Sequence, residues 1–141
     1  MSIKTNSPLA GRLALFDLVT NTAYTVTAED SGKVFLLGAI GAAITLPSPT
    51  LSNKGCWFRF VCGVKCVTTN WVITSQAADM HITIRSGGGA EGNTLTSGDA
   101  DTAITFVNSA ADEGDFVEMY STGSVWMVTG ACHATANITA A

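Results

Sequence analysis

The sequence predicts an all-β domain, a single antiparallel β-sandwich or barrel-like jelly roll with extended terminal arms. Three observations carry this. Apolar and polar residues alternate with period two in a series of short runs, each closed by turn residues. The 141 residues include 14 glycines and many threonines, with no long Ala/Leu/Glu/Lys stretch of the kind that builds helical bundles. Charged residues make up only 13%, against roughly 25% in an ordinary domain. Uncharged Thr, Ser, Asn and Gly must therefore cover the outer faces, as in β-chains partly hidden by partners.

The elements follow in order. Thr22 to Thr27 alternates, and Ala28 to Gly32 then turns the chain, with room for one helical turn ended by Gly32 in a left-handed conformation. Lys33 to Leu37 is a buried strand. Ala43 to Leu46 is another, stopped by Pro47 and Pro49, which cannot continue a central strand. After a loop from Thr50 to Gly55, Cys56 to Cys62 is the most apolar run and belongs in mid-sheet. One of its faces carries Cys56, Phe58, Phe60 and Cys62, and the other Trp57, Arg59 and Val61. Strands are expected at Asn70 to Ser75, Met80 to Arg85, Asn93 to Thr96 and Thr102 to Val107. Ser86 to Asn93 is a glycine-rich loop. Phe116 to Tyr120 and Val125 to Thr129, joined by a short Gly-containing loop, form a hairpin. Val34, Leu36, Ile44, Phe58, Phe60, Ile104 and Val117 are the expected core. Residues 21–130 thus make the sandwich, 1–20 an N-terminal arm and 131–141 a C-terminal tail.

The net charge is −4 and the seven cations are scattered singly. Nucleic acid is therefore not expected as a partner, because no basic stripe tracks a phosphate backbone. No run reaches the ~18 apolar residues of a membrane span. Asp17 interrupts the apolar N-terminal stretch, so no secretory leader is read there. The four cysteines would suit two disulfides in an oxidising compartment. Without a leader they read as thiols, buried as free cysteines usually are.

Candidate chemistry is sparse. His133 follows Cys132 directly, so the two side chains point to opposite faces of a strand, and His81 is the other possible base. Folding could bring Cys66, Cys132, His81 and His133 toward one metal ion, although the cysteine spacing matches no zinc pattern. Asp99 with Asp101, and Asp112, Glu113, Asp115 and Glu118, are acidic groups lacking the calcium-hand loop. The glycine-rich loop lacks the Gly-Lys-Ser/Thr ending of a phosphate cradle. Trp57, Trp71 and Trp126 serve as core or interface packing, or as a sugar platform if exposed. Asn137 to Thr139 matches a glycosylation acceptor without a secretory route to use it. No catalytic residue, metal or cofactor is assigned.

Two stretches are less generic. Tyr24 to Leu37, followed by Ala43 to Pro47 and Trp57 to Val61, resembles a pattern in virion surface proteins of tailed phages, especially aquatic and cyanobacterial ones. Gly114 to Gly130 is similar to the closing hairpin of the same proteins. The resemblance spans about two-thirds of the chain and implies a capsid decoration (cement) protein. Such a protein is made in the host cytoplasm and carried on the outer capsid surface. It implies the major capsid protein as partner and self-association as a trimer, with no membrane partner. A chain of this length with its own Met and no shaft repeat fits cement; the alternative is a tail-fibre or receptor-binding module, with a carbohydrate as one possible ligand. Leu9, Leu13, Leu15, Phe16 and Leu18 of the arm, with Trp71 and Trp126, are the expected capsid or subunit interface, since an arm this apolar needs a cover. The cover could be the capsid, a neighbouring subunit, or the arm's own sandwich as an extra strand.

Overall fold

The computed structural model describes residues 14–18, 22–77, 79–87, 94–96 and 100–141. Twelve strands lie among them: β1 (Ala14–Leu18), β2 (Tyr24–Thr25), β3 (Lys33–Leu37), β4 (Ala43–Thr45), β5 (Trp57–Cys62), β6 (Trp71–Thr74), β7 (Met80–Ser86), β8 (Thr94–Thr96), β9 (Ala103–Phe106), β10 (Phe116–Ser121), β11 (Trp126–Cys132) and β12 (Ile138–Ala140). They form a seven-stranded sheet ordered β1-β3-β5-β10-β11-β7-β8 and a five-stranded sheet ordered β12-β9-β6-β4-β2. The buried faces of both sheets share one core, with Phe35, Phe58 and Phe60 from the larger sheet and Ile44, Ile73 and Phe106 from the smaller. Phe35 and Phe60 stack with ring centroids 4.9 Å apart.

The all-β class holds, but the expectation of an antiparallel sandwich or jelly roll does not. Both sheets are mixed: β1, β3 and β5 run parallel in the larger sheet, β2, β4 and β6 run parallel in the smaller, and β7 is parallel to β11. The remaining pairs, including the β10–β11 hairpin, are antiparallel. From β1 to β6 the chain alternates sheets at every strand. Parallel neighbours need a long crossover, and here a strand of the opposite sheet supplies it in place of a helix. Short spacings were therefore compatible with parallel pairing.

The same turn feeds the larger sheet twice. Thr27 leads into a 3-10 turn over Ala28–Asp30 and Thr50 into one over Leu51–Asn53. In each, the side chain three residues on accepts the backbone N–H of the threonine: Asp30 Oδ2 from Thr27 at 3.0 Å, Asn53 Oδ1 from Thr50 at 2.8 Å. Gly32 and Gly55 follow at φ +89° and +85°, a left-handed geometry that glycine adopts without strain. Asp30 and Asn53 are both buried, and both are well partnered. Asp30 also accepts from Lys33 Nζ at 2.5 Å and Tyr24 OH at 3.2 Å. Asn53 donates to the Ser48 carbonyl at 2.7 Å and accepts from Ser121 Oγ at 3.0 Å. Burial works to raise the Asp30 carboxyl, but hydrogen bonds from Lys33 and the Thr27 N–H outweigh it and hold it below its ordinary value.

Trp71 and Trp126 are buried; they are core residues and not the interface expected of them. Each indole N–H donates to a carbonyl where the chain passes between sheets, Trp71 to Gly38 at 2.8 Å and Trp126 to Pro47 at 3.0 Å. At Gly41 a Cβ would stand 2.3 Å from the Thr69 carbonyl oxygen, so only glycine lets these crossings pack so closely.

The arms also differ from expectation. Ala14–Leu18 is β1, paired in parallel with β3. Leu18 is buried and Phe16 packs edge-on against Phe35 at 5.6 Å, whereas Leu15 is exposed. Leu9 and Leu13 lie outside the described residues. At the C-terminus β11 runs to Cys132 and Ile138–Ala140 pairs with β9, so 131–141 is structured chain and not a tail. Of the expected core, Ile44, Phe58, Phe60, Ile104 and Val117 are buried in it, whereas Val34 and Leu36 lie on the outer face of β3, Val34 buried and Leu36 partly exposed, and Phe35 and Leu37 face the core instead.

Phe58 and Phe60 are fully buried on neighbouring inward positions. Phe→Ala at either position should lower unfolding free energy by about 3–5 kcal/mol, measured by urea denaturation; a loss under about 1 kcal/mol at both would contradict this core.

Candidate functional site

At the far end of β5 the chain carries a third version of the turn, Asp112 to Asp115, which feeds β10. The Asp115 carboxylate accepts the Asp112 N–H at 2.9 Å, and Gly114 adopts φ +92°. The turn is pinned to β5 by two backbone bonds, Cys62 N–H to the Asp115 carbonyl at 2.8 Å and Gly114 N–H to the Cys62 carbonyl at 2.9 Å.

Asp115 is completely buried, which an ionised carboxylate tolerates only when its lone pairs are filled. They are. Oδ1 accepts the His133 backbone N–H at 2.8 Å and faces His133 Nδ1 at 2.6 Å; Oδ2 accepts Asn137 Nδ2 at 2.7 Å along with the Asp112 N–H. One carboxylate therefore joins the start of β10, the end of β11 and the turn that leads into β12. Asp112, on the rim, pairs with Lys65 Nζ at 2.9 Å, which holds its carboxyl below the ordinary range.

Around this hub lies a shallow cleft of about 250 Å³ lined by Gly87, Gly114, Asp115, Ala131, Cys132 and His133. Cys132 points inward and His133 outward, as strand alternation requires; the His133 side chain is 62% exposed. Asp115 fixes the ring through Nδ1 and leaves Nε2 unengaged among the described residues. The hydrogen bond to Asp115 and its negative charge raise the His133 pKa above its ordinary 6.5, with the Asp112 charge adding to the effect.

An imidazole oriented by a buried aspartate can shuttle protons, but nucleophilic catalysis needs a nucleophile beside it. None of the cleft-lining residues carries a hydroxyl. Cys132 donates to the Ala134 carbonyl at 3.2 Å, Cys62 to Val64 at 3.2 Å and Cys66 to Thr69 at 2.6 Å. Burial pushes all three thiols up, Cys62 to about 11 with the Asp115 charge contributing. They are neutral packing groups at physiological pH. The arrangement works as a staple with an exposed histidine on it.

The sequence-level candidates separate in space. His81 is opposite Met127, whereas Cys132 is opposite Ser86 on the same strand β7, about 17 Å further along, so the pooled Cys/His metal site does not assemble. Among the described residues no three His, Cys, Asp or Glu side chains come together to hold a metal. Of the acidic group, Asp112 and Asp115 belong to the hub, and Glu118 pairs with Arg59 on the outer face of the larger sheet at 3.8 Å. Asp99 and residues 88–93 of the glycine-rich loop lie outside the described residues. Asn137, read only as a glycosylation match, is a buried part of the hub. The hub was findable from spacing: Asp112-x-x-Asp115 repeats Thr27-x-x-Asp30 and Thr50-x-x-Asn53.

No helix among the described residues is long and apolar enough to cross a membrane. No protein-family model, curated protein or solved structure gives a significant match to the chain.

Two outcomes follow for the hub. Asp115→Ala leaves several buried donors without an acceptor and should cost about 3 kcal/mol or more, read by thermal or urea unfolding. Because the folded-state pKa of His133 is raised, its charge contributes stability that is fully present below pH 6.5 and lost as pH rises through the raised value. The stability difference between the native protein and His133→Gln should therefore be largest in mildly acidic buffer and shrink as the pH is raised; a flat difference would deny the ion pair.

Proposed function

We propose that this chain is a phage head decoration protein, which binds the major capsid protein on the outer shell and associates with copies of itself there, as a trimer by the resemblance. The carrying observation is that four strands of the resembling segments, far apart in sequence, are neighbours in space: β3, β5, β10 and β11 lie side by side in the larger sheet, while β2 and β4 of the first stretch pair in the smaller one. A charge-poor composition supports a protein that buries much of its surface against partners. The outer face of the larger sheet carries exposed apolar side chains suited to such contact, among them Leu15, Trp57 and Tyr120. In this reading attachment to the shell falls to the residues preceding β1.

A receptor-binding module of the tail is the second reading. It is favoured by one feature, the adjacent Trp57 and Tyr120 on β5 and β10, 37% and 49% exposed, which could stack on a sugar ring. Trp71 and Trp126 are unavailable for that role.

Quantitative mass spectrometry of purified virions should find copies in the hundreds for head decoration; a handful would favour the tail. Deletion of residues 2–13, which spares β1, should leave a folded protein that no longer binds undecorated heads, whereas Trp57→Ala should leave head binding intact. Loss of host-cell binding on Trp57→Ala, with no head binding by the native chain, would overturn the decoration reading.

A further inference from the structure

We propose that the outer face of the larger sheet is the contact between copies of this chain, with Arg59 and Glu118 at its centre pairing across the contact. The proposal deepens the self-association in the reading above by naming its surface.

The registers lay out the face. Leu36, Val61 and Phe116 stand in one row across β3, β5 and β10, and Trp57, Tyr120 and Met127 in another across β5, β10 and β11. Between the rows lie Arg59 and Glu118, with Leu15 beside Val34 toward the β1 edge. Leu15, Trp57 and Tyr120 are exposed, and Leu36, Val61, Phe116 and Met127 are partly so. Apart from Met127, the outward positions beyond β10 are polar, Thr129 on β11 and His81, Thr83 and Arg85 on β7. Two apolar rows thus flank a central charge pair, with a polar border on the β7 side.

Area and charge point to a second copy as the occupant. Six strands from β1 to β7 at about 4.8 Å spacing, over about 17 Å of strand, outline a face on the order of 500 Å² in projection. Side-chain relief brings this toward the roughly 800 Å² per partner of a standard interface. The central charges are self-complementary. Arg59 and Glu118 are adjacent, and their side chains are 38% and 48% exposed. Their contact within the chain is loose at 3.8 Å. Arg59 lies over the Phe116 ring with its guanidinium carbon 4.2 Å from the centroid; its Nε is buried and has no acceptor among the described residues, which leaves the terminal Nη atoms as the donors open to a partner. A guanidinium held flat by a ring is set to take a carboxylate end-on through its two Nη atoms. Glu118 of a second copy related by symmetry brings one to each Arg59.

Charge exchange tests this directly. In sedimentation velocity the native protein should be a dimer or trimer at micromolar concentration. Arg59→Glu and Glu118→Arg, each alone, place like charges across the contact and should each weaken association about tenfold or more; Tyr120→Lys should do the same. Circular dichroism checks that each variant is folded. Mixing the Arg59→Glu and Glu118→Arg proteins in equal amounts restores opposite charges only between different chains. In a dimer the mixture should therefore recover association to within about threefold of native; in a trimer one of the three contacts stays between like chains, so recovery above either variant alone is partial. A monomeric native protein, oligomers indifferent to all three substitutions, or failure of the mixture to recover would overturn the proposal. So would oligomers appearing only on deletion of residues 2–13, which would make the chain's own N-terminal segment the occupant. Head binding measured on the same variants separates the two readings: lost association with retained head binding supports this surface and leaves decoration standing. Intact association without head binding supports the surface and removes decoration.

Discussion

A single device recurs ahead of three neighbouring strands of the larger sheet: a buried side-chain oxygen accepts the backbone N–H three residues before it. Asp30 does this ahead of β3, Asn53 ahead of β5 and Asp115 ahead of β10. Those strands are consecutive neighbours, so their start points, and hence the register of the inward phenylalanines, depend on three short polar turns. A buried acceptor of this kind must be fully partnered, because an orphan costs more than a satisfied one contributes. Each turn accordingly collects further donors from elements distant in sequence, Tyr24 and Lys33 at Asp30, Ser121 at Asn53, His133 and Asn137 at Asp115. Local turn chemistry is thereby converted into long-range order.

The tryptophan indoles complete the arrangement from the other side. Alternation between sheets creates crossing loops whose carbonyls face the core edge, and Trp71 and Trp126 satisfy two of them while filling the largest volumes inside. Polar satisfaction and hydrophobic filling are done by the same side chains. This explains why two of the three tryptophans are unavailable to ligands and only Trp57 reaches the surface.

Much of this was legible beforehand. Period-two alternation identified the inward faces of β5 and β10, and Gly32, Pro47 and the loop before β11 marked element ends, because faces and stops are local properties. On β3 and β11, apolar on both faces, alternation could not choose: Val34 and Leu36 were expected inside, whereas Phe35 and Leu37 face the core. Strand direction was not legible, since alternation is the same for parallel and antiparallel partners; the choice was made by crossovers through the opposite sheet. Leu15, Phe16 and Leu18 were read as an arm because the run is short and follows a polar start, yet only Phe16 and Leu18 face inward, and pairing with β3 decides its place. The Asp115 hub escaped because its members are scattered from Lys65 to Asn137 and meet only after both sheets form. Its one local trace, the three-residue spacing shared with two earlier turns, becomes visible when the chain is compared with itself.

That self-similarity bears on how such a module can change length. Ala14 sits opposite Lys33, and Tyr24 opposite Ile44, so about twenty residues close one circuit through both sheets. β1 and β2 are the last described strands of their sheets at the same end. A duplicated circuit placed there would lengthen both layers by one strand in step, carrying its own turn with it. The ladder from β5 through β10 and β11 to β7 would be undisturbed. Growth by whole circuits at one end, with the β10–β11 hairpin and its neighbours kept fixed, gives this architecture a route to modules of graded size that a closed antiparallel barrel does not have.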